Sequence, residues 1–284
     1  MPLKIIFMIK IFSLKKFLSV LPKRKKDAHK NAGGKTLVIA GSPEMPGACI
    51  LCATAASRVG SGYVYILKTS KYFISKNFPD FLIVEKSSLK KTISNYSALA
   101  IGPGLGKSAQ NLKILKTLIK SQVPFVVVDA DGLNMLASLK NVSLPETWIL
   151  TPHEGELARL LKTTAQEIRQ NRKKYVIMAQ KKFKCHILLK GNKTLIASKK
   201  HLVQIQTGNK ALAKAGTGDV LTGMIAGFLA QGLNPLNAAC VAATLHGKIA
   251  DDWITKRDYL GFMASDLLTQ IPLQMKKMRA QSSK

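Results

Sequence analysis

One acid stands alone in the segment NKALAKAGTGDVLTG, residues 209–223: Asp219, preceded by Gly216, Thr217 and Gly218 and followed by an apolar run. Glycines that open a helix leave backbone N–H groups without acceptors, and the helix dipole points its positive end at them. Gly216, Thr217 and Gly218 therefore form a candidate anion hole. An acid in that first turn can be a favourable terminal charge and nothing more. It can also take a proton from a hydroxyl while the N–H groups hold a phosphate in transfer. The motif favours Asp219 as a general base.

Four further stretches carry suitable groups. KGNKT (190–194) offers Lys190 and Thr194 to phosphate or ribose, or is a hairpin turn. TPHEGE (151–156) sets His153 and Glu156 at a strand-to-helix junction, where Thr151 or His153 would serve equally as a cap. DADGLN (129–134) presents Asp129 and Asp131 to Mg²⁺ or a ribose, although two acids in a turn are ordinary. GPGLGKS (102–108) fails as a Walker A loop, which needs glycine at Ile101, and as a dinucleotide fingerprint, which needs glycine at Lys107. It remains either a loop whose backbone a ligand can approach or a tight strand-to-helix turn.

The elements that must position these groups alternate. Apolar, β-branched runs at 35–41, 63–67, 97–102, 124–130, 148–152 and 185–191 are separated by helical stretches such as 109–120 and 164–183. This alternation predicts an α/β fold with a mostly parallel central sheet and helices on both faces. NKTLIAS and HLVQIQ read as an antiparallel pair, and helices follow at 219–231, 235–253 and 264–278, with Gly232 and Pro235 as the stop between the first two. In such sheets ligands gather beyond the carboxyl ends of the strands, where IAGSPEMPGA, GPGLGKS, DADGLN, TPHEGE and KGNKT fall.

The chain has 284 residues, enough for one large domain, and carries 44 Lys and Arg against 15 Asp and Glu, a net charge of +29. That charge suits phosphate-bearing substrates. It also raises a rival reading as a nucleic-acid-binding protein, which the absence of an aromatic-interleaved basic stripe disfavours, so no nucleic-acid partner is expected. Cys49 and Cys52 lie three apart in a small-residue helical stretch and, with Cys185 and Cys240, read as buried free thiols; no metal ligand set is assigned. Free thiols point to a reducing compartment, hence the cytoplasm. Residues 1–20 are apolar and basic, interrupted by Lys10, Lys15 and Lys16, and are expected to be an extension that does not span a membrane. No membrane partner is expected, and residues 21–284 are expected to form a single domain.

Taken in order, the motifs resemble the ADP/ATP-dependent NAD(P)H-hydrate dehydratase family, a branch of the ribokinase-like fold. The resemblance runs from about residue 21 to the C-terminus through HK (29–30), IAGSPEMPGA, SRVGSGYV, AIGPGLG, VVDADGLN, ILTPHEGELARLL, LLKGNKTLI and TGNKALAKAGTGDVLTGMIAGFLAQG. It implies dehydration of the S epimer of hydrated NADH or NADPH, with ADP consumed to AMP and phosphate, or ATP in its place. Asp219 would activate the hydrate hydroxyl for phosphorylation, which turns a poor leaving group into a good one. Ala48, Gly104, His153 and Asp219 would contact the hydrate; Lys190, Gly191, Asn192, Lys193, Thr194 and Gly218 would hold the adenine nucleotide. The resemblance further implies Mg²⁺, a homotetramer and functional pairing with a separate NAD(P)H-hydrate epimerase. Within the same fold, a kinase for a vitamin precursor of the hydroxymethylpyrimidine or hydroxyethylthiazole type is the alternative. The chain departs from the family at Asn31, Glu154, Lys210 and Ala215. Glu154 brings negative charge to a site for anions, and Lys210 is the residue expected to offset it.

Overall fold

Along every central strand, successive side chains enter two different cores. Val38, Ala100, Val127, Ile149 and Leu188 face one; Leu37, Ile39, Ile101, Val128, Leu150 and Leu189 face the other. This period of two, with both faces apolar, is what a sheet covered on both sides requires. A computed structural model describes residues 8–69, 79–121 and 123–281.

The strands in chain order are β1 (Ile9–Ile11), β2 (Lys35–Ile39), β3 (Tyr63–Lys68), β4 (Leu82–Glu85), β5 (Ala98–Ile101), β6 (Val126–Val128), β7 (Ile149–Leu150), β8 (His186–Leu189), β9 (Leu195–Ala197) and β10 (Leu202–Gln204). They form one sheet in the order β1-β10-β9-β8-β7-β6-β5-β2-β3-β4. Pairing is parallel from β8 through β4 and antiparallel at β8–β9 and β9–β10. The expected antiparallel pair is therefore present, and KGNKT is the hairpin that enters it from β8.

The helices are α1 (Leu14–Val20), α2 (Pro46–Arg58), α3 (Leu89–Thr92), α4 (Ala109–Lys120), α5 (Ala130–Ala137), α6 (Glu154–Leu161), α7 (Ala165–Gln170), α8 (Arg172–Phe183), α9 (Thr217–Ala230), α10 (Pro235–Ile254) and α11 (Ala264–Ala280). Core residues of α2, α9, α10 and α11 cover one face of the sheet, and those of α4, α5, α6 and α8 the other. The stretch expected as one helix over 164–183 is two. Thr164 starts α7 with a capping box to Glu167, and Asn171 leaves the helical region at φ −136°, ψ 50° before α8 begins.

Residues 9–20, within the stretch 1–20 expected to be an extension, lie against the sheet together with Leu21. β1 pairs in parallel with β10, Ile9 opposite Leu202, and α1 rests on α10 with Phe17 and Leu21 buried in the core. Among the described residues no helix is long and apolar enough to cross a membrane.

The contact that fixes the site is between α2 and α9. A Cβ added at Gly223 would lie 2.0 Å from the Cys52 carbonyl oxygen, and one at Gly227 would lie 2.5 Å from Val59 Cγ2 and 2.7 Å from the Ala56 carbonyl oxygen. Two glycines four apart let the helix backbones touch, which leaves little freedom for the first turn of α9. That turn carries Asp219.

Candidate active site

The chain runs from β2 outward to β4, then returns to the other side of β2 at β5, so β2 and β5 flank the point where the strand order reverses. A crevice opens at such a point. The loops leaving these strands meet there: Gly41 N–H donates to the Pro103 carbonyl (2.8 Å). Gly104, at φ +57°, is so close to α2 that a Cβ on it would sit 2.7 Å from Ala48 Cβ. Ala48 and Gly104, two of the four residues expected on the hydrate side, are thus one surface. Gly102, at φ +122°, passes over the Asp129 carbonyl with space for no side chain.

The strands on the same side of the reversal bring the charged groups. Lys190 leaves β8, Asp129 leaves β6, and Glu156 lies in the first turn of α6 after β7. Lys190 Nζ donates to Asp129 Oδ1 at 2.7 Å and faces Glu156 Oε2 at 3.6 Å. Asp129 is fully buried and accepts a second bond, at its Oδ2, from the Thr222 hydroxyl (2.8 Å). A Cβ on Gly218 would lie 3.6 Å from Lys190 Nζ and 3.8 Å from Asp129 Oδ2, so the start of α9 touches this pair directly.

Asp219 stands in that turn with its carboxyl pushed up to about 7. Burial is the main cause, the charge of Asp129 adds to it, Lys190 pulls the value back, and Glu156 raises it further. For Lys190, burial acts to lower the ammonium, but Asp129, Glu156 and Asp219 outweigh it and hold the group above its ordinary value. The cluster thus pairs a firmly held cation with an acid poised to change protonation near neutrality. Gly216 caps α9 in the left-handed region (φ +86°), and Thr217 N–H turns back toward the Lys214 carbonyl (3.4 Å). The N–H groups that helix geometry leaves for an anion are those of Gly218 and Asp219.

Other expected residues take different places. His153 caps α6, its Nδ1 accepting from Gly155 N–H (3.0 Å) and Glu156 N–H (3.4 Å), while Glu156 Oε2 accepts from His153 N–H (2.8 Å). Its ring stays exposed, so the cap and a ligand contact are compatible. Asp131 is tied to the glycine loop, accepting from Gly106 N–H (2.8 Å). Gly191, Asn192 and Lys193 are exposed, and the Thr194 hydroxyl closes their turn on the Gly191 carbonyl (3.1 Å). Lys210 does not offset Glu154: its Nζ lies 3.7 Å over the Tyr259 ring, and Glu154 is met instead by Arg169 Nε and Arg172 Nε, each at 3.5 Å. Cys49, Cys52, Cys185 and Cys240 are buried free thiols, as expected.

Two residues escaped the sequence reading. Thr222 lies three on from Asp219, on the same helix face, a spacing that could have signalled it. Arg172 offered only its charge.

Among the described residues no group of three His, Cys, Asp or Glu is placed to hold a metal ion. Asp129 and Glu156 are two carboxylates already bonded to protein donors. With Lys190 Nζ between them at 2.7 and 3.6 Å, they form no vacant pair for a cation, so a Mg²⁺ at this site would take most of its ligands from phosphate and water.

The model of the NAD(P)H-hydrate dehydratases matches residues 36–273, which span every element of this site. The chain belongs to that family. The dehydratases similar to it include the ADP-dependent (S)-NAD(P)H-hydrate dehydratase of Neisseria meningitidis, 37% identical over 245 residues, 83% of this chain and 82% of that protein. The bifunctional NAD(P)H-hydrate repair enzyme of Moorella thermoacetica is 38% identical over 280 residues, 92% of this chain but 52% of the relative. The chain spans about half the length of such bifunctional relatives. The crystal structure of the Bacillus subtilis ADP/ATP-dependent NAD(P)H-hydrate dehydratase, co-crystallised with ATP and Mg²⁺, superposes with a TM-score of 0.85 at 30% identity, covering 95% of this chain and 99% of that one. A hydroxyethylthiazole kinase from Pyrococcus horikoshii shares only the fold, at 16% identity and a TM-score of 0.62. The dehydratase family places the chain among ribokinase-like proteins.

Proposed function

We propose that the protein dehydrates the S epimer of NADH or NADPH hydrate back to the working cofactor, using ADP or ATP. The observation that carries this reading is Asp219, an acid with its carboxyl near 7 at an open helix N-terminus, set against the Lys190–Asp129 pair. Asp219 takes the proton of the ring hydroxyl as its oxygen bonds to the terminal phosphorus of the nucleotide and AMP (or ADP) leaves. Lys190 and the N–H groups of Gly218 and Asp219 hold the transferring oxygens. The phosphate then departs with the C–O bond electrons, and loss of the neighbouring ring proton restores the double bond. Ala48, Gly104 and His153 bound the hydrate side, and Lys190 through Thr194 the nucleotide side. A Mg²⁺ bound with the nucleotide would screen the phosphate charges, held mainly by phosphate oxygens and water.

The family resemblance alone supports a homotetramer and a functional pairing with a separate NAD(P)H-hydrate epimerase; the buried free thiols support a cytoplasmic location, and the chain length with the run of motifs from about residue 21 supports a catalytic domain over residues 21–284.

The test mixes protein, Mg²⁺, NADH hydrate and ADP or ATP and follows absorbance at 340 nm, beside Asp219→Asn. Nucleotide-dependent recovery that vanishes in the variant is expected. Recovery that survives in the variant removes Asp219 as base. No recovery from folded protein, with a stable phosphorylated product from a vitamin precursor, would select the kinase alternative.

A further inference from the structure

The first turn of α8 carries Arg172, Lys173 and Lys174 and no acid. Positive charge at a helix N-terminus opposes the dipole, so something else must hold Arg172 there. Its guanidinium reaches the hairpin that follows β8. Nη2 donates to the Leu189 carbonyl (3.3 Å) and the Lys190 carbonyl (3.0 Å), and Nη1 donates to the Asn192 carbonyl. Three carbonyls of one short loop thus converge on one side chain. Gly191 makes room for it: at φ +133°, a Cβ there would sit 2.9 Å from Nη2. The guanidinium is oriented from behind by Glu154, whose Oε1 faces Nε at 3.5 Å. The negative charge that Glu154 brings to the site thus has a partner in Arg172.

We infer that Arg172 is a positioning residue for the adenine-nucleotide loop: its guanidinium fork fixes the backbone of residues 189–192, and through it the direction in which Lys190 enters the site. The inference rests on the proposed function for the identity of the ligand, an adenosine di- or triphosphate. A planar fork with several donors suits this task, and an ammonium cannot reproduce it. The loop needs a clamp because Gly191, Asn192 and Lys193 are exposed and, Arg172 apart, are tied chiefly by the Thr194 hydroxyl.

Arg172→Lys and Arg172→Ala, with Glu154→Gln, separate this role from general charge. ADP affinity is measured by calorimetry, KM for each substrate by the 340 nm assay, and amide exchange of residues 189–194 without nucleotide. A positioning role predicts that both Arg172 variants raise Kd and KM for ADP about ten- to hundredfold, leave KM for the hydrate unchanged, and speed loop exchange. Glu154→Gln should give a smaller change in the same direction. A lysine variant that binds ADP like wild type would show that the cation alone matters and overturn the inference. Unchanged loop exchange in both Arg172 variants would overturn it too. Wild-type protein that binds neither ADP nor ATP would sink the function instead, and faster loop exchange in the variants would still support the clamp.

Discussion

Lys190 Nζ and Asp129 Oδ1 lie 2.7 Å apart, with Asp129 buried. Asp129 therefore serves chiefly to hold Lys190, and both set the field that Asp219 feels. Removing Lys190 would leave burial and Asp129 unopposed. Lys190→Gln should move the Asp219 titration above 7, read by ¹³C carboxyl NMR. It should also cost about 3–5 kcal/mol of stability, because a buried charge loses its partner. A titration that stays put would show that Lys190 does not govern the base.

The proton on Asp219 links activity to pH. As a base it must be ionised, so kcat/KM should fall tenfold per pH unit below about 7. A profile flat down to pH 5 would remove Asp219 from that role.

Stability should run the other way. The folded carboxyl holds its proton up to about 7, against an ordinary value of 3.8, so wild-type stability declines as pH rises between those values. Asp219→Asn escapes this loss. Its advantage should be small near pH 4 and reach the order of a few kcal/mol above pH 7, measured by urea denaturation.

Gly223 has no room for a methyl group against Cys52. Gly223→Ala should force α9 off α2, lower stability by about 1–3 kcal/mol, and reduce activity by displacing Asp219. Gly261→Ala, where nothing lies within 4 Å, is the control expected to change neither. An active, fully stable Gly223→Ala protein would show that the helix contact does not set the site.

Phe17 tests whether residues 9–21 belong to the folded unit. It is fully buried beside α10, so Phe17→Ala should cost about 3–5 kcal/mol in denaturation while leaving KM unchanged.

Much of this was legible in the chain. The continuous apolar, β-branched runs at 35–41 and 97–102 marked buried strands of a parallel sheet, and the stop at Gly232 and Pro235 bounded α10 as expected. The glycines before Asp219 marked an open helix start. Each of these features depends on residues a few positions apart, where turn chemistry and periodicity act. What sequence could not supply was distance between remote residues. Asp129 meets Lys190 across 61 positions and Thr222 across 93, and β1 finds β10 at the far edge of the sheet. Those meetings depend on strand order, which is set when whole apolar faces are buried together. The raised titration of Asp219 is of the same kind, since burial and a neighbour's charge are properties of the folded surroundings. The sequence by itself determined which residues could do chemistry and which elements carry them; the tertiary structure decided which of them meet, and made Arg172 a clamp and Asp131 a loop tie.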